Sequence, residues 1–472
     1  MKILILVPDG VGIRNYLYSD LIPELRKNRA KICLYHKVSK AAIQEIEKVH
    51  QTSIEHIEIS DLKEGFYLKL LRESTAYARL IYFKKVLKNK TILDFWAKKP
   101  KSLKLKVFYF FCKIFGTFFS KNYDKLRKHE IKYENKIKTT NAYKKAIEDL
   151  KILQPDFILN LHQRSPITTP VILAAQELKI KNSTVIFSWD NIPKGRLICR
   201  PDLYFVWSKL MKEQLCLLYK EISPNKVYIV GSPQFDFYKK KELQLTKEAF
   251  FKKYNLDIHK KTICFSGDDT LTSPYDQYFL EDLCISLSNF PKNERPQIIF
   301  RRCPVDFSDR YDHVLEKYKN NIVVINPDWR VEKSSQETNF TMLYPSYNDI
   351  SLLVNTCLHS DIVVNLGSTM AHDFTVYNKP CLYLNYNPKK DKNWSVEMIY
   401  QFEHFKSMEN LDAVGWINNP SDFYPLLKKA LNTPNLIATD RKLWLKRIIQ
   451  HPLEKNSINL ANLILEKCTS VS

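Results

Sequence analysis

The residues best suited to chemistry in this chain sit directly behind short runs rich in Ile, Val or Leu. Five of the nine glycines, Gly10, Gly12, Gly231, Gly267 and Gly367, occupy such places in a chain of 472 residues. A sequence this poor in glycine keeps it where the backbone must turn tightly or approach another group closely. The fullest constellation is Ile362-Val363-Val364-Asn365-Leu366-Gly367-Ser368-Thr369, then Met370-Ala371-His372-Asp373 and Asn378-Lys379-Pro380. A strand, a glycine, two hydroxyls and a helix would present backbone N–H groups and the Ser368 and Thr369 hydroxyls at a positive helix end, where a phosphate binds well. Simple helix capping accounts for the same hydroxyls. Arg301 and Arg302, at the exit of Gln297–Arg301, offer guanidiniums for a bidentate phosphate contact, although strand alternation turns at most one of them toward a ligand. A surface ion pair is the alternative. Gly267-Asp268-Asp269 and Asp328-Trp329 stand at further exits.

A second set of exits could supply a general base. Asp9 follows Lys2–Val7, His162 follows Phe157–Leu161 and Asp190 follows Thr184–Trp189. We rank them in that order as proton acceptors. A turn carboxylate beside Gly10 and a structural histidine are the competing readings of the first two. No Cys, His or carboxylate spacing suggests a metal site.

These residues need a framework of buried strands. Further runs at Ala30–Tyr35, Leu203–Trp207, Val227–Val230, Thr262–Ser266, Ile322–Asn326 and Pro380–Asn385 lack polar alternation, as strands covered on both faces do. The stretches between them, such as Asn15–Lys27, Pro170–Leu178 and Leu210–Lys220, have helical length and spacing. The expectation is an α/β chain of two doubly wound Rossmann-like domains, with ligands outside the carboxyl ends of the strands. The first spans 1–236 on the acceptor side and the second spans 247–440 on the nucleotide side. Two helices in 441–472 can cross back to the first.

Length and composition agree with a folded enzyme-sized protein: 44% of residues are hydrophobic and 26% charged. Ten scattered cysteines without a C-x-x-C pair read as reduced thiols. Ile3–Val7 is too short for a signal-peptide core, so a cytoplasmic location is expected.

The net charge of +22 favours an anionic partner, and it is concentrated. Residues 62–147 hold 23 Lys and Arg against 6 Asp and Glu, a net +17, and contain no convincing strand. Aromatics interleave with the lysines at Tyr82-Phe83-Lys84-Lys85, at Trp96 near Lys98-Lys99, and through Val107–Phe119. That last run is too short to span a bilayer, which takes ~20 residues. It suits a helical insertion lying on an anionic membrane surface, peripheral on the inner membrane face. A subdomain packing its aromatics inward is the alternative. No motif points to nucleic acid.

Arg301-Arg302-Cys303-Pro304, Tyr347-Asn348-Asp349, Asp361–Val364, Gly367-Ser368-Thr369 with Asp373, and Lys379-Pro380 together resemble the C-terminal domain of GT-B glycosyltransferases. They are nearest to the CDP-glycerol glycerophosphotransferase and capsule-polysaccharide transferase branches. Ser188–Asn191, Arg200-Pro201-Asp202, Val206-Trp207-Ser208 and Val230–Asp236 look like the end of the acceptor domain in surface-carbohydrate transferases. The resemblance covers roughly residues 1–35 and 150–450. It departs at Cys303, where the family has His, and in lacking the Glu-x7-Glu pair of the retaining branch.

The resemblance implies a GT-B fold. It also implies a metal-independent, inverting transfer of a sugar from a nucleotide-sugar donor to a cell-surface glycan or lipid-linked acceptor. The donor, bound through Gly267, Arg301, Arg302, Asp328, Gly367, Ser368, Thr369 and Asp373, is a co-substrate, and no separate cofactor is implied. A CDP-polyol phosphotransferase, a non-hydrolysing nucleotide-sugar epimerase and an inactive GT-B-like binding protein are the alternatives.

Overall fold

The protein is described from a computed structural model covering residues 1–96, 100, 102–331, 343–449 and 452–469. Lys98 and Lys99 lie outside them. The chain forms two compact units, one comprising Met1–Gln234, Phe402–His404 and the chain from Ile448 on, the other Phe235–Gln401 and Phe405–Arg447.

In chain order, unit 1 contains β1 (Lys2–Val7), α1 (Leu21–Lys27), β2 (Lys31–His36), α2 (Lys40–His50) and β3 (Glu55–Glu58). These are followed by α3 (Phe66–Leu87), α4 (Leu103–Ser120), α5 (Tyr123–Ile137), α6 (Asn141–Leu153) and β4 (Phe157–Asn160). The remainder is α7 (Thr169–Glu177), β5 (Lys181–Val185), β6 (Leu203–Val206), α8 (Lys209–Leu218) and β7 (Val227–Ile229). The sheet is parallel, in the order β3-β2-β1-β4-β5-β6-β7. Its central strands are buried on both faces, which is why they read as unbroken apolar runs. One face packs Leu4, Leu6 and Ile158 against Ala146 and Leu150 of α6 and Val171 and Ile172 of α7.

Among its described residues the basic insertion forms helices and no strand. Its last helix, α6, runs on to Leu153 and serves as the ordinary crossover into β4, so α3, α4 and α5 are the true addition. Each of the last three helices begins with a side-chain cap: Ser102 accepts from Leu105 N, Asn122 from Lys125 N and Thr140 from Tyr143 N. The addition is fastened to the parent domain by Arg79, whose guanidinium grips both oxygens of Glu130 at 2.7 Å and reaches Glu221 at 3.2 Å. Arg200 completes the cluster, at 2.9 Å from Glu130 and 2.6 Å from Glu221.

Unit 2 contains α9 (Lys247–Lys253), β8 (Thr262–Ser266), α10 (Asp276–Ser286), β9 (Gln297–Arg301), α11 (Asp312–Lys317) and β10 (Ile322–Val324). Then come β11 (Trp329–Val331), β12 (Leu343–Pro345), α12 (Tyr347–His359), β13 (Ile362–Asn365), α13 (Met370–Val376) and β14 (Cys381–Leu384). It closes with α14 (Val396–Tyr400), β15 (Gly415–Ile417), α15 (Phe423–Asn432) and α16 (Arg441–Ile448). A parallel sheet runs β10-β9-β8-β13-β14-β15, and β11 and β12 form a separate antiparallel pair. The final helix, α17 (Asn456–Thr469), packs on α1 of unit 1. The β5 strand lies earlier than the apolar run Thr184–Trp189, whose later residues form the loop that carries Asp190.

Candidate functional site

Each sheet reverses its strand order once. In unit 1 the reversal falls between β1 and β4, in unit 2 between β8 and β13. At such a switch point the loops leaving two neighbouring strands diverge and open a crevice beyond the carboxyl ends. Asp9 and His162 stand there in unit 1, and Gly267 with Gly367–Thr369 in unit 2, whereas Asp190 follows β5, Arg301 and Arg302 stand at the end of β9 and Asp328 follows β10.

In unit 1, Leu6 of β1 pairs in register with Asn160 of β4. The two strands therefore deliver Asp9 and His162 side by side, with Asp9 Oδ2 2.6 Å from His162 Nδ1. The other Asp9 oxygen accepts from Val11 N at 3.1 Å, and His162 N donates to Asn160 Oδ1 at 3.2 Å, so both backbones are fixed. The His162 ring stands edge-on to Phe187, at 4.8 Å between centroids. A carboxylate on Nδ1 selects the tautomer protonated there and makes Nε2 the basic nitrogen. The two residues ranked first and second are thus joined as one hydrogen-bonded pair, in which Asp9 orients the His162 ring.

Asp190 has a different character. Burial would raise its pKa, but Lys194 at 2.5 Å, the nearby His404 and the Ser188 hydroxyl at 2.6 Å hold it well below the usual carboxylate range. A carboxylate so stabilised is a poor proton acceptor. It organises a polar shelf instead. Asn191 donates to Asp190 and accepts from Arg164 Nη1 at 3.1 Å. Burial and the neighbouring Arg196 push the Arg164 guanidinium down to about 10. His404 packs edge-on against Trp189, and burial pushes its imidazole down to about 4. Gln163 Oε1 and Ser232 Oγ, at two strand exits, are buried without a hydrogen-bond partner among the described residues, as groups awaiting a ligand are.

In unit 2, Gly367 has φ +73°, and a Cβ on it would lie 2.8 Å from Phe405 Cζ, so only glycine makes this turn without strain. Ser368 N donates to Asn365 Oδ1 at 2.9 Å, and its hydroxyl caps Met370 N at 3.4 Å. Thr369, the N-cap residue of α13, is exposed and makes no side-chain capping bond, and Asp373 is buried in the first turn. Arg301 is committed to Asp349, at 2.8 and 3.0 Å, and Asp349 also accepts from Asp328 N and Trp329 Nε1. Arg302 bonds to Ser308 O and lies over the Tyr311 ring. Both guanidiniums thus have protein partners that a phosphate would have to share. Asp328 accepts from the Ser346 hydroxyl and borders a cavity of about 380 Å³ between α9 and α12. Burial pushes the Cys303 thiol up, leaving it a neutral group.

The residue that sequence reasoning undervalued is Asp268. It follows Gly267, whose absent side chain makes room for Tyr311 and Asp276. Asp268 N donates to Asp276 Oδ2 at 2.9 Å, and Tyr311 Oη donates to the same oxygen at 2.7 Å. Asp268 Oδ2 is buried without a hydrogen-bond partner among the described residues. Burial first, then Asp276 and Asp269, raise its pKa well above the carboxylate range, which favours the neutral acid and makes it a hydrogen-bond donor. Consecutive aspartates behind a strand glycine were the available signal. Among the described residues no three His, Cys, Asp or Glu side chains come together as a metal site would require.

No family model matches this sequence, and no curated protein does. Solved structures do. S. aureus MnaA with UDP superposes with a TM-score of 0.53 at 11% identity, covering 100% of this chain and 97% of that one. A putative UDP-N-acetylglucosamine 2-epimerase from Listeria monocytogenes gives 0.55 at 9% identity, with the same coverage. A glycosyltransferase from Rickettsia africae gives 0.51 at 13% identity, covering 98% of each chain. The fold is GT-B. The likeness is one of fold and does not single out the CDP-glycerol branch.

Proposed function

We propose that this GT-B chain is a glycosyltransferase that moves a sugar from a nucleotide-activated donor to a glycan or lipid-linked acceptor. The observation that carries the reading is the Asp9–His162 pair at the switch point of unit 1. An inverting transfer needs a base to accept the acceptor hydroxyl proton as that oxygen attacks the anomeric carbon and the nucleotide leaves with the bonding electrons. His162 Nε2 takes that proton, and Asp9 holds the ring and stabilises the imidazolium formed. Unit 2 would hold the nucleotide donor, with the exposed Thr369 hydroxyl and neutral Asp268 as donors to ligand oxygens. The UDP in the S. aureus neighbour makes a uridine nucleotide the first donor to try.

A second reading is favoured by the full-length match to proteins named as UDP-GlcNAc 2-epimerases, those of Listeria monocytogenes and Methanocaldococcus jannaschii: this chain would then invert a centre of the nucleotide sugar itself. Polyol-phosphate transfer draws support only from the Arg301–Pro304 resemblance, where Arg301 is engaged by Asp349 and the Cys303 thiol is neutral.

Thermal melts against UDP, CDP, GDP and dTDP, followed by NMR of the matching nucleotide sugar without acceptor, test these readings together. A ligand at 100 times its Kd raises stability by about 2.7 kcal/mol. A transferase shows that shift with one nucleotide and leaves the sugar unepimerised. Appearance of the 2-epimer selects the second reading, and no shift with any nucleotide removes both. His162→Ala should retain the shift and lose turnover by a factor of about 10² to 10⁴.

A further inference from the structure

The surface of the added helices is sorted in a way that the chemistry above does not use. Helix α4 is 18 residues long. Phe108, Cys112 and Gly116, spaced by four, face α3. At Gly116 the approach is so close that a Cβ would lie 2.8 Å from Ser74 O. The opposite side is also apolar: Leu103, Val107, Phe110, Ile114 and Phe118 follow one another at spacings of four and three residues, which puts them in one stripe. Their exposures run from 46% at Ile114 to 77% at Leu103. Phe66 and Tyr67 at the start of α3 are exposed as well, with the Phe66 ring 5.4 Å from that of Phe108 on the α3-facing side. Contiguous exposed rings of this kind mark a surface that is covered in use.

Charge identifies what covers it. All three arginines of the addition turn inward: Arg72 pairs with Glu64 and Glu73, Arg79 with Glu130, and Arg127 with Glu130 and Glu134. Four of the six acids of residues 62–147 are consumed there. The lysines remain outside: Lys104, Lys106 and Lys113 flank the apolar stripe and Lys121, Lys125 and Lys128 follow it, all exposed. An apolar stripe edged by cations matches an anionic bilayer, whose acyl boundary takes the rings while lysines reach the headgroups. Nucleic acid would leave the rings in water, and a second copy would bring two cationic rims together. No helix of the described residues is long and apolar enough to cross a membrane.

We propose that α4 is an in-plane membrane anchor that inserts Val107, Phe110, Ile114 and Phe118 into the headgroup boundary of an anionic bilayer, with the α3–α5 lysines as its electrostatic collar. This anchor stands apart from the catalytic reading and survives its failure.

The test is cosedimentation of the full chain with vesicles of phosphatidylglycerol and phosphatidylcholine, or of phosphatidylcholine alone, with hydrogen exchange followed over 103–120. Binding is expected on the anionic vesicles, falling at least about tenfold from ~0.1 to ~0.5 M salt, with exchange in α4 slowed only when they are present. The triple variant Phe110→Ser, Ile114→Ser, Phe118→Ser should keep the wild-type melting temperature and lose binding about tenfold or more. Lys106→Glu with Lys113→Glu should weaken binding and its salt dependence together. Undiminished binding by the folded triple variant, or equal binding to pure phosphatidylcholine, overturns the proposal. So does a wild-type dimer in sedimentation that the triple variant abolishes while no vesicles are bound.

Discussion

Asp268 shows how a single side chain can carry the state of a site. Its native pKa is raised, so the folded protein keeps a proton that the unfolded chain releases near the ordinary value of 3.8. Stability from this group is full below that value and falls as pH rises toward neutrality. In Asp268→Asn the acid is replaced by a neutral amide of the same shape and that slope disappears. Melting curves of wild type and variant should therefore diverge upward from pH ~4 in favour of the variant, and parallel curves would show that Asp268 ionises normally. Gly367→Ala should cost about 1–3 kcal/mol, because a β-carbon at φ +73° meets Phe405. Both positions were legible as strand exits. What sequence could not convey was partnership: Asp9 and His162 lie 153 positions apart, and only the strand order β2-β1-β4 makes them neighbours. Asp190 was legible as a polar exit, but its depressed pKa depends on Lys194 one helical turn on and on His404 from a returning segment.

Among elements, strands buried on both faces were readable and edge strands were not. Thr262–Ser266 and Gln297–Arg301 stand where their apolar runs stand. The β3 strand, Glu55-His56-Ile57-Glu58, is a largely exposed edge with no apolar run to announce it, and β15 is a three-residue edge. The insertion was legible as helix and as charge, and its arginine cluster explains why it stays docked. Burial would raise the pKa of Glu221, but Arg200 and Arg79 pull it down to about 2 from 4.5. The stability it contributes is complete above 4.5 and is lost as pH falls toward 2. Glu221→Gln should thus lower the melting temperature at pH 7 and reduce the further loss on acidification through that window. An unchanged acid transition would mean that Glu221 does not couple the addition to its domain. Arg79→Met removes the bidentate partner of the buried Glu130, which keeps Arg200 and Arg127, and should cost about 1.5–3 kcal/mol, read by urea unfolding.

At the scale of the whole molecule, the chain leaves unit 1 after Gln234, builds unit 2, and returns to finish unit 1 with α17. The return has energetic content. Leu460, Ala461 and Ile464 of α17 are fully buried, and α17 packs on α1, whose Leu21, Ile22 and Leu25 are equally buried. Lys181 Nζ of β5 adds a bond to Lys467 O at 2.9 Å. Burying one Leu or Ile is worth about 1.5–3 kcal/mol, so the α17 pair contributes roughly 3–6 kcal/mol before the cost of ordering the helix. A chain ending before Asn456 should therefore lose that stability from unit 1 first. Hydrogen exchange reads it locally: amides of Leu21–Lys27 should exchange at least about a hundredfold faster in the truncated chain, while those of β8 and β9 in unit 2 keep their protection. If α1 stayed protected, its apolar face would have to be satisfied within the β1–α1–β2 layer alone, and α17 would be a passenger on that surface. The six fully buried side chains shared between the two helices argue the other way.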